Sequence, residues 1–268
     1  MSKIILVVFD GCRPDGLAQA HTPNVDDLWR SGAYSWTAQS VTPSVTLPTH
    51  LSMFRSVSPE KHGVTDNIYH PPAADYPSVM DIAHKAGLKT AMFYSWEELR
   101  DLSAPGSVDV SYYHHAYGVD ATDHNVAEWA RLFIVAEQPE LSLVYFGESD
   151  LAGHESGWMS APYIAAIEDM DRALGRVMWA LKQVRLYDKF TWLFLADHGG
   201  HDHAHGTDAP EDLTIPWILS GLGAKKGYEI HSPVRIMDTA ATISHLLDLP
   251  RPPIWEGAPV WDALDDSG

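Results

Sequence analysis

The sequence predicts an α/β fold: a doubly wound, mostly parallel open sheet flanked by helices on both faces. Two observations predict it. Short apolar runs rich in Val, Ile, Phe and Tyr alternate with longer segments of helical period, which is the pattern of βαβ units. The runs are also nearly continuous in their hydrophobicity, as expected of strands buried on both faces. In order, the opening MSKIILVVFDG gives a strand over 4–9 that stops at Asp10. Its apolar run is too short, and lacks the small-residue cleavage site, to read as a secretory leader. Further strands are KTAMFY (89–94), LSLVYF (141–146), TWLFLA (191–196) and PWILSG (216–221). Between them, 23–31, 46–56, 77–86, 122–137, 160–184 and 237–248 read as helices, several opened by Asp, Ser or Pro. The aromatic stretch within 97–121, YYHHAYGVD, reads as an edge hairpin or a small cap. No repeat, low-complexity tract or Gly/Ser linker divides the chain, so residues 1–268 are read as one domain with a minimal cap.

Composition narrows the partners. Eighteen Lys and Arg against 36 Asp and Glu leave a net charge of −18, which argues against binding a nucleic-acid polymer or an anionic membrane. An anionic small-molecule substrate would need local positive charge. Arg and Lys are sparse around the motifs below, so a bound metal is the natural source. The single cysteine, Cys12, excludes a disulfide within the chain and a thiolate zinc site, leaving His and carboxylate as ligands. No apolar stretch is long enough to cross a bilayer, and the expectation is a cytoplasmic protein. Nothing in the sequence sets an oligomeric state.

In open α/β sheets, ligands bind where strands exit at their carboxyl ends. Asp10 follows the first strand, Asp150 and His154 follow 141–146, and Asp197 and His198 follow 191–196. Carboxylates stranded beside an apolar sheet are costly unless a cation neutralises them. Taken singly, Asp10-Gly11 reads equally as a turn, and DLAGH as an N-cap with a surface histidine. LADHGGHDHAHG, residues 195–206, is harder to read as a solvated loop, because adjacent Asp and His at a strand exit followed by paired glycines suit a constrained turn around a ligand.

These motifs together resemble the alkaline phosphatase superfamily, and within it the type I phosphodiesterase/nucleotide pyrophosphatase branch. The resemblance rests on Asp10-Gly11, TPNVDDL (22–28), TLPTHLSMF with PEKHG (46–63), DLAGH (150–154), ADHGGH, HGTDAPEDLTIPWI and IMDTAATISHLLDLP followed by EGAPV. It implies a metal-dependent phosphate-ester hydrolase with two divalent ions, zinc by family and manganese as an alternative. One ion would be held by Asp10, Asp197, His198 and the Thr46 oxygen, the other by Asp150, His154 and His205. Thr46 would be the nucleophile, forming a phosphothreonine intermediate, with Asn67 on a non-bridging phosphate oxygen. The positive end of a helix opening at Thr46, and the backbone N–H of Leu47, would face the phosphoryl group.

Two Zn²⁺ against three Asp and one alkoxide sum to about neutral. With no Arg beside Thr46 in PSVTLPTH, a singly charged phosphodiester is favoured over a monoester or phosphonate, which stand as the alternative. Sulfatases of the superfamily use a C-x-P-x-R pattern. Cys12 opens CRPDG, lacks that Arg and lies far upstream of Thr46. A non-catalytic metal-binding protein is the reading from another class. The relatives insert a large cap before the last histidine, whereas His198 and His205 here are close in sequence, so their nucleotide pocket does not carry over. Tyr69, Trp96, Tyr112, Tyr113 and Trp158 are candidates to replace it. His201 and His203 read as solvent-facing or supporting residues, or as groups that orient substrate or supply protons.

Overall fold

The computed structural model describes residues 3–71, 75–115 and 122–265. One eight-stranded sheet forms its centre. The strands are β1 (Lys3–Phe9), β2 (Ala33–Gln39), β3 (Thr90–Tyr94), β4 (Val110–Tyr113), β5 (Leu141–Phe146), β6 (Phe190–Leu195), β7 (Thr214–Ser220) and β8 (Tyr228–Glu229), in the spatial order β4-β3-β5-β1-β6-β7-β2-β8. β1 lies in the middle, paired in parallel with β5 (Val8 opposite Tyr145) and with β6 (Val8 opposite Leu195). β3, β5 and β6 are buried along their whole length, as their continuous apolar runs predict.

The helices are α1 (Pro14–Gln19), α2 (Pro23–Ser31), α3 (Thr46–Arg55), α4 (Pro59–His62), α5 (Val79–Lys85), α6 (Thr122–Glu137), α7 (Glu148–Ser156), α8 (Ala161–Gln183), α9 (Pro210–Leu213) and α10 (Asp238–Leu246). They pack as two groups, with α1, α2, α6 and α7 around α8, and α3 among α4, α5 and α10. None of the described helices is long and apolar enough to cross a membrane.

Two expectations need correction. β7 runs antiparallel to both neighbours, β6 and β2, instead of continuing the parallel set. The segment from Ala196 to Leu213 explains the reversal. It carries no crossover helix, only the single turn of α9, and it is tied down at the carboxyl edge by Gly199 N–H to Asp212 O (2.8 Å) and Gly200 N–H to Glu211 O (3.0 Å). The chain therefore re-enters the sheet from the edge it left, and can only run back. Residues 97–121 form no hairpin within their described part: a 3₁₀ turn over Glu97–Leu102 leads to β4, which pairs with β3 in parallel. Residues 116–121 of the predicted cap lie outside the described residues. β2, absent from the expectations, alternates buried and exposed positions along AYSWTAQ, so it offers no apolar run.

Candidate metal centre and active-site cleft

Three strand exits build the site. Beyond β1, Asp10 is followed by Gly11 at φ 66°, where a side chain would be strained and its Cβ would lie 3.1 Å from Asp150. Glycine is what lets these two segments touch. Beyond β5, Gly147 starts α7, which places Asp150 and His154 one turn apart on the same face. Beyond β6 come Asp197 and His198, both fully buried. The loop that follows delivers His205, whose ring stacks on that of His198 with centroids 3.9 Å apart.

Each of the three histidines is aimed by a peptide carbonyl. Nδ1–H of His198 donates to Gly199 O (2.8 Å), that of His154 to His203 O (3.0 Å) and that of His205 to Ser44 O (2.8 Å). A carbonyl only accepts, so in the neutral imidazoles every Nε2 presents a lone pair. Those lone pairs meet other electron-rich atoms. His205 Nε2 is 3.1 Å from His154 Nε2 and 3.5 Å from Asp150 Oδ1, and His198 Nε2 is 3.2 Å from Asp10 Oδ1. Asp10 Oδ1 and Asp150 Oδ1 are buried without a hydrogen-bond donor. Acceptors facing acceptors repel unless a proton or a cation lies between them, and nitrogen with carboxylate oxygen is a donor set that suits a divalent metal.

Among the described residues two groups of ligand atoms converge in this way: Asp150, His154 and His205, and Asp10, Asp150 and His198. The first is the set the resemblance assigns to one ion. In the second, Asp150 reaches across, so it lies between the two clusters instead of serving one alone. Asp197 stays close, with Oδ2 3.3 Å from His198 Nε2, while Oδ1 accepts the Gly11 N–H at 3.2 Å.

The electrostatics of the carboxylates differ. Burial pushes Asp10 well above the usual carboxylate range, and the charges of Asp197 and Asp150 push further in the same direction. Burial raises Asp150 too, against the partial relief of His198 and His154. Burial also acts to raise Asp197, but His198, a hydrogen bond from His50 and the Gly11 N–H outweigh it and hold Asp197 below its ordinary value. Burial and the charge of His198 lower His205 to about 3, so its imidazole is a neutral donor at physiological pH.

Thr46 is the first residue of α3, and the cap position is Val45, so its hydroxyl is not spent on capping. Oγ1 is 3.2 Å from His198 Nε2. Thr46 and Asn67 line a cavity of about 170 Å³ together with Asp10, Asp150, His154 and His205. The Leu47 N–H, expected to face a phosphoryl oxygen, instead donates to Asn67 Oδ1 (3.0 Å). That bond fixes the amide and leaves its two N–H donors available. The far wall is Ser95, Trp96, Asp123 and Glu148, and none of the described lining residues is Lys or Arg.

Of the five candidate aromatics, Trp96 lines this cavity. Tyr112 stacks on Trp129, Tyr113 packs tilted against Tyr94, and Tyr69 lines a different cavity. Trp158 is buried beneath the ligands. Its ring meets His154 and His205 edge-on at 5.1 and 5.8 Å, and its Nε1–H donates to Gly11 O (2.9 Å). His201 and His203 are outside the cavity lining. His201 Nδ1 pairs with buried Asp212 (2.7 Å), which also accepts from the Thr207 N–H and hydroxyl, closing the loop that carries His205. His203 Nδ1 returns a bond to His154 O (3.1 Å).

Sequence reasoning missed three supports: Asp212, His50 and Tyr145. His50 Nδ1 lies 2.8 Å from Thr46 O and 3.4 Å from Asp197 Oδ2. The Tyr145 hydroxyl donates to Asp10 Oδ2, leaving Oδ1 to face the ligands.

A parallel-centred α/β sheet with paired His/Asp clusters at its carboxyl edge defines a member of the alkaline phosphatase superfamily. The chain belongs to the type I phosphodiesterase / nucleotide pyrophosphatase family, whose profile matches residues 4–213. It is 30% identical over 217 residues to ectonucleotide pyrophosphatase/phosphodiesterase family member 3 of Rattus norvegicus, covering 73% of this chain and 24% of the relative. To a venom phosphodiesterase of Macrovipera lebetinus it is 29% identical over 219 residues, 74% of this chain and 25% of the relative. The chain thus spans about a quarter of the length of the curated relatives it matches. In fold it is similar to murine ectonucleotide pyrophosphatase/phosphodiesterase 5, solved as an inactive threonine-to-alanine variant with AMP, at TM-score 0.83 and 17% identity over 99% of this chain and 100% of that one. It is also similar to a phosphonate monoester hydrolase of Silicibacter pomeroyi, at TM-score 0.73 and 16% identity over 97% and 76%.

Proposed function

We propose that the protein hydrolyses small phosphodiesters by double displacement, with Thr46 as nucleophile. The observation that carries this is the position of the Thr46 hydroxyl: buried, free of capping duty, on the cavity wall and 3.2 Å from a histidine of one ligand cluster. Asp10, Asp150, Asp197, His154, His198 and His205 would hold two divalent ions, with zinc favoured by family. When bound, these would favour the ionised Thr46 hydroxyl and polarise the phosphoryl group. Thr46 Oγ1 bonds to phosphorus as the first ester oxygen departs with its alcohol. Water then cleaves the phosphothreonine, restoring the hydroxyl and releasing a phosphomonoester. Asn67, held through its Oδ1, donates its amide protons to a non-bridging oxygen.

The lack of Lys or Arg among the described lining residues supports a monoanionic diester over a dianionic monoester. The AMP complex of the murine neighbour is in keeping with a nucleotide-sized substrate, and its inactivating threonine-to-alanine change with a threonine nucleophile. The test compares purified protein reconstituted with Zn²⁺ or Mn²⁺ on bis-p-nitrophenyl phosphate and p-nitrophenyl phosphate, beside Thr46→Ala. The diester should turn over faster, and Thr46→Ala should lose at least about a thousandfold while still binding metal. Undiminished turnover in Thr46→Ala would sink the covalent route, and metal binding without turnover of either ester would favour a binding protein.

A further inference from the structure

A second cavity, of about 820 Å³, shares no described lining residue with the active-site cleft. It lies at the far end of α3 from Thr46, where Arg55 is the last residue of the helix. Arg55 is 6% exposed. Among the described residues its guanidinium donates to peptide carbonyls alone, Nη1 to Tyr76 O (2.8 Å) and Nη2 to Asp101 O (3.4 Å). Its Nε is buried with no partner, and no carboxylate among the described residues lies within ion-pair distance of it. The neighbouring acid, Asp101, is turned to Arg100 at 3.7 Å, and Arg100 also pairs with Glu97.

A guanidinium cannot shed its charge, so one withdrawn from water and left unpaired is unusual. Carbonyl acceptors satisfy its hydrogen bonds in part but do not cancel the charge. A cavity beside it large enough for a small metabolite supplies the missing element. We propose that this cavity binds a small oxyanion, a carboxylate or a phosphate group, on Arg55. Each Nη keeps one proton outside its carbonyl bond, and Arg55 lines the cavity, so the guanidinium has donors left for the oxygens of such a group. Arg100, Tyr69 and Ser111 line the same space and would meet the body of the ligand. Asp75 and Asp101 also line it, which limits the site to one anionic group and excludes polyphosphates.

The test titrates the metal-reconstituted protein with inorganic phosphate and, separately, with succinate, following backbone amide shifts by NMR. Binding at Arg55 moves the amides of Ser103, Gly106 and Ser111, whereas phosphate held as a product moves those around Asn67 and His205. Arg55→Gln should weaken the first set of shifts by about tenfold or more and leave turnover of bis-p-nitrophenyl phosphate within about twofold. Ala104→Trp, at an exposed position of the rim, should block the site without disturbing a buried group, which keeps the test valid if Arg55→Gln does not fold. Response to phosphate alone assigns a phosphorylated ligand and response to succinate alone a carboxylate. No shift at these amides with either probe, or affinity unchanged from the parent in both Arg55→Gln and Ala104→Trp, overturns the proposal.

Discussion

Gly200→Ala tests whether the ligand histidines depend on the ring beneath them. A Cβ at this position would lie 2.2 Å from Cε2 of Trp158 and 2.5 Å from Cδ2, where ordinary contact needs about 3.5 Å or more. The ring cannot simply retreat, because on another side a Cβ at Gly153 would meet it at 2.6 Å. Glycines distant in sequence thus form a slot one indole wide. Overpacking of this kind costs about 1–3 kcal/mol, and displacing the Nε1–H from Gly11 O adds about 1 kcal/mol. The expected loss is about 2–4 kcal/mol, seen as a lower midpoint in urea unfolding with EDTA present. Because the ring supports His154 and His205 edge-on, metal affinity in a chelator competition should also fall, by about 10–100-fold. Trp158→Leu in the Gly200→Ala background should recover part of the stability, since the clash has gone. An unchanged midpoint in Gly200→Ala, or strictly additive losses in the double variant, would refute the slot.

Three further outcomes are expected. Asp150→Asn should cross over: more stable than the parent in EDTA at neutral pH, less stable with saturating metal. Asp150 is raised by burial, so it stabilises the metal-free fold only while protonated, and that contribution disappears as pH rises through its folded value. The gap in EDTA should therefore close as pH falls into the ordinary carboxylate range, and a thermal-melt series without that closure would contradict the sign. Tyr145→Phe keeps the ring but removes the donor to Asp10, and kcat should drop about tenfold with KM nearly unchanged; a change confined to KM would place Tyr145 on substrate instead. Asp212→Ala leaves His201 and Thr207 without their shared acceptor, so urea unfolding should show a loss of about 3 kcal/mol, with amide exchange accelerated across 199–212; unchanged exchange there would mean the loop is held by other bonds.

How much was legible follows from what each feature needs in order to be seen. The central strands announce themselves because full burial demands unbroken apolar runs, and strand ends then point to Asp10, Asp150 and Asp197. β2 hides because one of its faces meets solvent, and the direction of β7 depends on hydrogen bonds between Gly199, Gly200 and residues 211–212 that no local pattern reveals. His50 was within reach, since it follows Thr46 by one helical turn and shares its face. Tyr145 was not, because its meeting with Asp10 depends on the register that sets Val8 opposite it. Trp158 reads in sequence as a plausible substrate contact, and only the approach of Gly153 and Gly200 from separate segments shows it to be a support.

The three imidazoles are oriented by main-chain oxygens of Gly199, His203 and Ser44, and every amino acid carries that oxygen. The aim of the ligands is therefore written in the path of the chain, and side chains enter it where they set that path, as at Gly199, whose Cβ would lie 2.0 Å from Glu211 O. Replacing His203 would remove its own bond to His154 O but keep the carbonyl that aims the His154 ring, whereas rotating the single peptide plane that follows residue 203 would undo that aim. In such a centre, a substitution matters to the extent that it displaces the backbone.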